Sequence, residues 1–254
     1  MSWQERTELL LGEEKMNILR SAKVLVCGLG GVGGAAAEQL VRAGIQNLTI
    51  VDADCVSETN INRQLIATHE NIGKPKAEEF AKRFRAINPD INLTVIGEYL
   101  RDEFLESTLK NGNWDFVVDA IDTLSPKMHL MRICHQNGIP SVSCMGSGGK
   151  KNPQMIQIAD ISKTYNCRLA LMLRKRLHRI GIYKGITVVF SPELVDKSAI
   201  VEEESTNKKS NVGTISYIPV VFGCMCAYAC IDYLTNQSPT SHSKPVSVPS
   251  AQRS

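Results

Sequence analysis

Lys23-Val24-Leu25-Val26-Cys27-Gly28-Leu29-Gly30-Gly31-Val32-Gly33-Gly34-Ala35-Ala36-Ala37 is the stretch on which the fold turns. Its first five residues form a short apolar run, the habit of a buried strand. Gly28 to Gly34 follows as a Gly-rich loop. Ala35 to Ala43 is a run of good helix formers closed by Gly44, a natural C-cap. Leu48 to Val51 reads as a second strand that ends in Asp52-Ala53-Asp54. Strand, loop, helix and strand within about 30 residues make one βαβ unit, the length that a crossover between parallel strands needs.

Two further units follow. Pro75 stands at a first helical position, and Ala77, Phe80, Ala81 and Phe84 recur at helical spacing until Asn88-Pro89 stops them. Leu93 to Ile96 is the next strand and Glu103 to Leu109 the next helix. Trp114 to Val118 is a strand ending in Asp119-Ala120-Ile121-Asp122. Pro126 opens a helix reaching Asn137-Gly138, and Ser141 to Cys144 is a strand. The alternation predicts an α/β fold: a Rossmann-like, doubly wound, mostly parallel sheet with right-handed connections.

After Met145 the character changes. Gly146, Gly148 and Gly149 form a flexible crossing, Met155 to Ile158 reads as a strand, and Leu169 to Ile180 as a basic helix. Thr187 to Phe190 is a strand, Glu202 to Asn211 a charged, mobile loop, and Ser216 to Leu234 an apolar run. Residues 1–145 are therefore expected to form the nucleotide-binding region. Residues 146–236 should be a smaller C-terminal α/β extension of the same domain, and 237–254, Ser- and Pro-rich, a disordered tail.

Composition narrows the class. A 43% hydrophobic content supports a substantial core, and a net charge of +3 does not by itself predict a nucleic-acid partner. No charged and apolar leader opens the chain, which points away from secretion. Several of the eight cysteines sit in apolar runs, as free buried thiols do, which suits a cytoplasmic protein. No C-x-x-C pair occurs, so zinc is not expected. Tyr217 to Leu234 approaches membrane-spanning length, but Pro219, Asp232 and its small residues favour a buried or interface helix over membrane association.

The chemistry lies in the spacing. Gly28, Gly30, Gly31 and Gly33 open a helix directly after a strand, where backbone N–H groups and the helix N-terminus receive phosphate. Asp52 lies 19 positions after Gly33, at a strand end, where a carboxylate holds ribose hydroxyls and repels a 2′-phosphate. Up to this point NAD and ATP fit equally. Asn60-Ile61-Asn62-Arg63 and Lys76 separate them. Hydride transfer needs no cations beside the phosphates, whereas attack on an α-phosphate does, because charge builds on the departing pyrophosphate. Asp119 and Asp122 end a later strand at the ligand-binding edge. Asp122 is the better Mg²⁺ ligand, with a helix N-cap as its alternative role.

Taken together, Gly28–Gly33, Asp52, Asn60-x-x-Arg63, Lys76 and Asp122 resemble the adenylating domain of ubiquitin-activating-type enzymes. The match extends over residues 6–145. Gly146-Ser147-Gly148-Gly149, Asp160 to Thr164, Arg174 to Leu177, Val188 to Glu193 and Gly213 to Pro219 are similar to the branch that dehydrates threonylcarbamoyladenosine in tRNA. Asn166-Cys167-Arg168 departs from that branch's usual Asp-Pro, so Cys167 is a local substitution and not a nucleophile. The resemblance implies ATP and Mg²⁺ as cofactors, with a monovalent cation and a sulfur-transfer partner left open. It also implies a homodimer in which Arg6 reaches the neighbour's ATP. Arg63, Lys76, Arg6 and Asp122 would then carry the catalysis, while Arg168, Arg174, Lys175, Arg176 and Arg179 would contact tRNA phosphates. Three alternatives stand beside this: adenylation of a ubiquitin-like sulfur carrier, an NAD-dependent oxidoreductase, and a nucleotide-binding scaffold without catalysis.

Overall fold

The computed structural model describes residues 2–202 and 210–236. Two helices, α1 (Glu5–Leu11) and α2 (Glu13–Ser21), precede a seven-stranded sheet. Its strands are β1 (Lys23–Cys27), β2 (Asn47–Val51), β3 (Asn92–Ile96), β4 (Phe116–Asp119), β5 (Ser141–Cys144), β6 (Gln157–Asp160) and β7 (Thr187–Phe190). They lie in the order β3-β2-β1-β4-β5-β7-β6, parallel throughout except that β6 runs against β7. The winding reverses between β1 and β4. In an open α/β sheet the crevice beyond the carboxyl ends of such a pair is where ligands bind.

The connecting helices are α3 (Gly31–Ala43), α4 (Lys76–Ile87), α5 (Asp102–Asn111), α6 (Leu124–Gln136) and α7 (Arg168–His178). Helix α3 begins four residues earlier than expected, because the later glycines of the loop already form its first turn. Gly44 closes it in the left-handed conformation, as the sequence predicts. The strand expected at Met155–Ile158 is displaced to Gln157–Asp160. Asn152 accepts the Gln154 N–H at 2.9 Å and starts a single 3₁₀ turn over Pro153–Met155 instead. Trp114 stands ahead of its strand and donates to the Thr108 carbonyl at 2.8 Å.

The apolar run after Ser216 is α8 (Tyr217–Asn236), long and apolar enough to cross a membrane by length and composition. Ile218, Phe222, Cys226 and Cys230 are buried in the main core, which α8 shares with α3 and the sheet. Gly223 permits this packing: a Cβ there would sit 2.5 Å from the Val32 carbonyl oxygen. The expected mobile loop is bounded by a small antiparallel pair, β8 (Ile200–Glu202) with β9 (Ser210–Val212), so its ends are strands. Its centre, 203–209, and the expected tail, 237–254, lie outside the described residues.

Candidate active site

The glycine loop of the crevice between β1 and β4 is held by close contacts that leave little room for side chains. Gly28 takes φ +88°, and a Cβ on it would meet the Ala120 carbonyl oxygen at 2.9 Å. Gly33 tolerates no side chain at all, since its Cβ would lie 1.8 Å from the Gly28 oxygen. Gly31 is pressed between Pro219 and the Arg63 carbonyl. Above Gly30 the space is open, with only the Gln64 amide nitrogen at 4.0 Å. This opening lies at the N-terminus of α3, where backbone N–H groups and the helix dipole favour an anion.

Asp52 fixes this loop. One carboxylate oxygen accepts the Leu29 N–H at 2.6 Å and the other the Asp54 N–H at 2.8 Å. Burial raises its carboxyl above the usual aspartate value, and the Lys76 ammonium and the two N–H groups pull it back only in part. Beside Ala53 a cleft of about 670 Å³ opens, lined also by Gly97, Tyr99, Arg101 and Phe104.

Lys76 begins α4 and is buried. Its ammonium pairs with Asp54 at 2.9 Å, and Tyr99 donates to the other oxygen of the same carboxylate at 3.0 Å. Arg63 is half-buried, donating to the Thr59 carbonyl at 2.7 Å and to the Asn62 side chain at 2.9 Å. Asn60, expected to contact the nucleotide, has a local structural part in the turn. It is buried, and its side-chain oxygen accepts the Ser57 N–H, closing the turn that carries Arg63. Gln64, missed in the sequence, is buried next to Gly30 with its amide oxygen unpartnered by protein.

On the far wall, Asp122 is exposed and precedes α6. The N-cap position of α6 belongs to Thr123, so the N-cap alternative for Asp122 does not hold. Asp119 is fully buried and ion-paired with Lys127 at 2.9 Å, which removes it as a metal ligand. Cys134, near Asp119, is pushed up to about 12, mainly by burial, so its thiol stays protonated. All eight cysteines are free. Among the described residues no group of three His, Cys, Asp or Glu side chains could hold a metal alone.

Outside the crevice, Arg6 is exposed on α1. Along α7, Arg168, Lys175 and Arg179 face outward, while Ala170, Leu173 and Leu177 are buried. Arg174 turns inward to the Thr164 carbonyl at 2.8 Å and so serves the loop before α7, not the outer face. Arg176 reaches the Ser125 hydroxyl at 3.4 Å, which ties α7 to the start of α6.

A glycine loop at a helix N-terminus, an aspartate at the next strand's end, a cationic turn and a carboxylate on the far wall, all at one switch point, fit a nucleotide-using enzyme of the adenylating type. The chain belongs to the ThiF family, whose model matches residues 4–251. It is 40% identical over 204 residues to the tRNA threonylcarbamoyladenosine dehydratase of Bacillus subtilis, covering 80% of this chain and 78% of that one. The crystal structure of the E. coli tRNA N6-threonylcarbamoyladenosine dehydratase in complex with ATP superposes with a TM-score of 0.81 at 34% identity, covering 91% and 94%. The Haemophilus influenzae molybdopterin-synthase adenylyltransferase is 36% identical over 132 residues, about half of each chain.

Proposed function

We propose that the protein is an ATP-dependent tRNA threonylcarbamoyladenosine dehydratase. The threonyl carboxylate of the modified adenosine attacks the α-phosphorus of ATP, and pyrophosphate leaves. A nitrogen of the same side chain then attacks the acyl carbon, closes a ring and expels AMP. The second step is intramolecular and needs no protein nucleophile.

The glycine loop and Asp52 seat the nucleotide, with the base directed to the cleft beside Ala53. Arg63 and Lys76 offset the charge that builds on pyrophosphate. Asp122 suits Mg²⁺, which takes one or two carboxylates and completes its shell with phosphate oxygens; bound there, it would neutralise phosphate charge. Arg6, beside the exposed Leu9 and Leu10, is offered to a second copy of the chain, and the exposed Cys224 and Tyr228 of α8 provide further contact surface. Arg168, Lys175 and Arg179 face tRNA phosphates. Eight free thiols suit a cytoplasmic enzyme.

One observation carries the choice of adenylation over hydride transfer. The Arg63 carbonyl packs on Gly31 and Gln64 stands over Gly30, so the cationic turn rests directly on the phosphate loop. The sulfur-carrier reading is less well supported, since that kind of relative matches only half the chain. Incubation with MgATP and tRNA carrying threonylcarbamoyladenosine, followed by mass spectrometry of the nucleosides, should show loss of one water. Unchanged nucleoside with folded, ATP-binding protein refutes the substrate assignment.

A further inference from the structure

Lys127 lies beneath the site, and nothing in the chemistry above uses it. It is fully buried, and all three of its acceptors belong to one turn. Its ammonium donates to the Ile121 carbonyl at 3.0 Å and the Asp119 carbonyl at 3.4 Å, and pairs with the Asp119 carboxylate at 2.9 Å. That carboxylate is itself fully engaged. Ser143 of β5 donates to one oxygen at 2.5 Å, and the Ile121 N–H to the other at 3.1 Å. The turn Asp119 to Asp122 is thus gripped from β5 and from α6.

Its other side meets the nucleotide loop. The Ala120 N–H donates to the Cys27 carbonyl at 2.9 Å, and Ala120 fills the space that side chains on Gly28 and Gly33 would take. A buried lysine is expensive to desolvate, and an ion pair of this kind is often replaceable by neutral residues without loss of stability. Stability alone therefore does not account for it. The carbonyl bonds do something that an apolar pair could not: they fix the backbone from which Asp122 projects.

We propose that Lys127 is a positioning residue that, by holding the Asp119 and Ile121 carbonyls, sets the β4–α6 turn against the glycine loop and aims Asp122 at the phosphate-bound Mg²⁺. This rests on the reading of Asp122 given under Proposed function. Supporting groups behind a metal ligand commonly change metal affinity about 10- to 100-fold when removed.

The test uses the double variant Lys127→Met/Asp119→Asn, which removes both charges and keeps an acceptor for the Ile121 N–H. ATP binding is followed by calorimetry across a Mg²⁺ titration, with hydrogen exchange at Ala120 and Ile121 as a second readout. The expected result is a folded protein with a Mg²⁺ midpoint raised about 10- to 100-fold, faster exchange in the turn, and near-normal metal-free ATP affinity. A wild-type midpoint and wild-type exchange overturn the proposal. Asp122→Ala separates the two readings. If it abolishes the Mg²⁺ response while the double variant keeps it, only the role of Lys127 fails. If Asp122→Ala leaves the response intact, the metal assignment fails and the aiming role with it. Should the double variant not fold, Lys127→Gln, a shorter donor, takes its place: a shifted midpoint supports the proposal and an unshifted one overturns it.

Discussion

The two walls of the crevice each carry a lysine–aspartate pair at 2.9 Å, and the two pairs differ in almost everything else. Lys76–Asp54 has one partner half in water, with side-chain exposures of 7% and 52%. Lys127–Asp119 has none, at 0% for both. Equal distance does not mean equal function. Solvent screens the first pair, so its lysine can leave for a phosphate at small cost. The second is surrounded by protein, and its lysine is committed to the carbonyls it holds. One wall offers an exchangeable cation and the other a fixed frame.

The largest effect should come from breaking the buried pair on one side only. Lys127→Ala leaves an uncompensated carboxylate and should destabilise the fold by about 3–5 kcal/mol, measured by denaturant unfolding. A loss below about 1 kcal/mol would place that pair with the exposed one. Next comes the cationic turn. Arg63→Ala should lower turnover at least about a hundredfold, near 2.7 kcal/mol in transition-state stabilisation, with an unchanged unfolding midpoint. Near-normal rates would remove the turn from the chemistry.

Asp52→Asn should weaken ATP binding about 10- to 100-fold, the worth of charge-assisted hydrogen bonds, as read by calorimetry. Its pH dependence has a definite sign. Burial raises the native carboxyl, so on acidification Asp52 gains its proton at a higher pH than an ordinary aspartate and ATP affinity falls there. The native state also binds that proton more tightly than the unfolded chain. The group's contribution to stability is thus full below the unfolded value and declines as pH rises through the raised one. Asp52→Asn should erase both trends. The smallest effect is Asp54→Asn, which should change stability by less than about 1 kcal/mol and leave ATP affinity equal or tighter, because Lys76 is released. A marked loss of affinity would show that Asp54 holds Lys76 in its working place.

The exchangeable wall is largely legible in the sequence; of the fixed one, Asp119 and Asp122 can be placed at a strand end, but the lysine that holds their turn cannot. Gly28 to Gly33 and Asp52 could be placed because a glycine loop between a strand and a helix constrains the backbone in few ways. Lys127 could not be singled out. A lysine just after a proline at a helix start reads as a surface cation, and only the fold shows that β5 and the turn enclose it. The same holds for Tyr99 and Gln64, whose partners are 45 residues away in one case and a backbone loop in the other. Asn60 is legible in the sequence through the Asn60-x-x-Arg63 pattern, whereas its local bond to the Ser57 N–H shows only in the fold. The basic helix is legible as basic, yet its face is not: Arg174 turns inward to the Thr164 carbonyl in the loop before it.

The glycine contacts of α8 have a mechanical consequence. With Gly223 against the Val32 carbonyl and the Pro219 ring against Gly31, α8 and the amino end of α3 meet at close range with little side chain between them. The amino end of α3 therefore cannot slide to meet a ligand. It behaves as an anvil, and any adjustment during the catalytic cycle falls to the side chains and turns that close over it from the other wall.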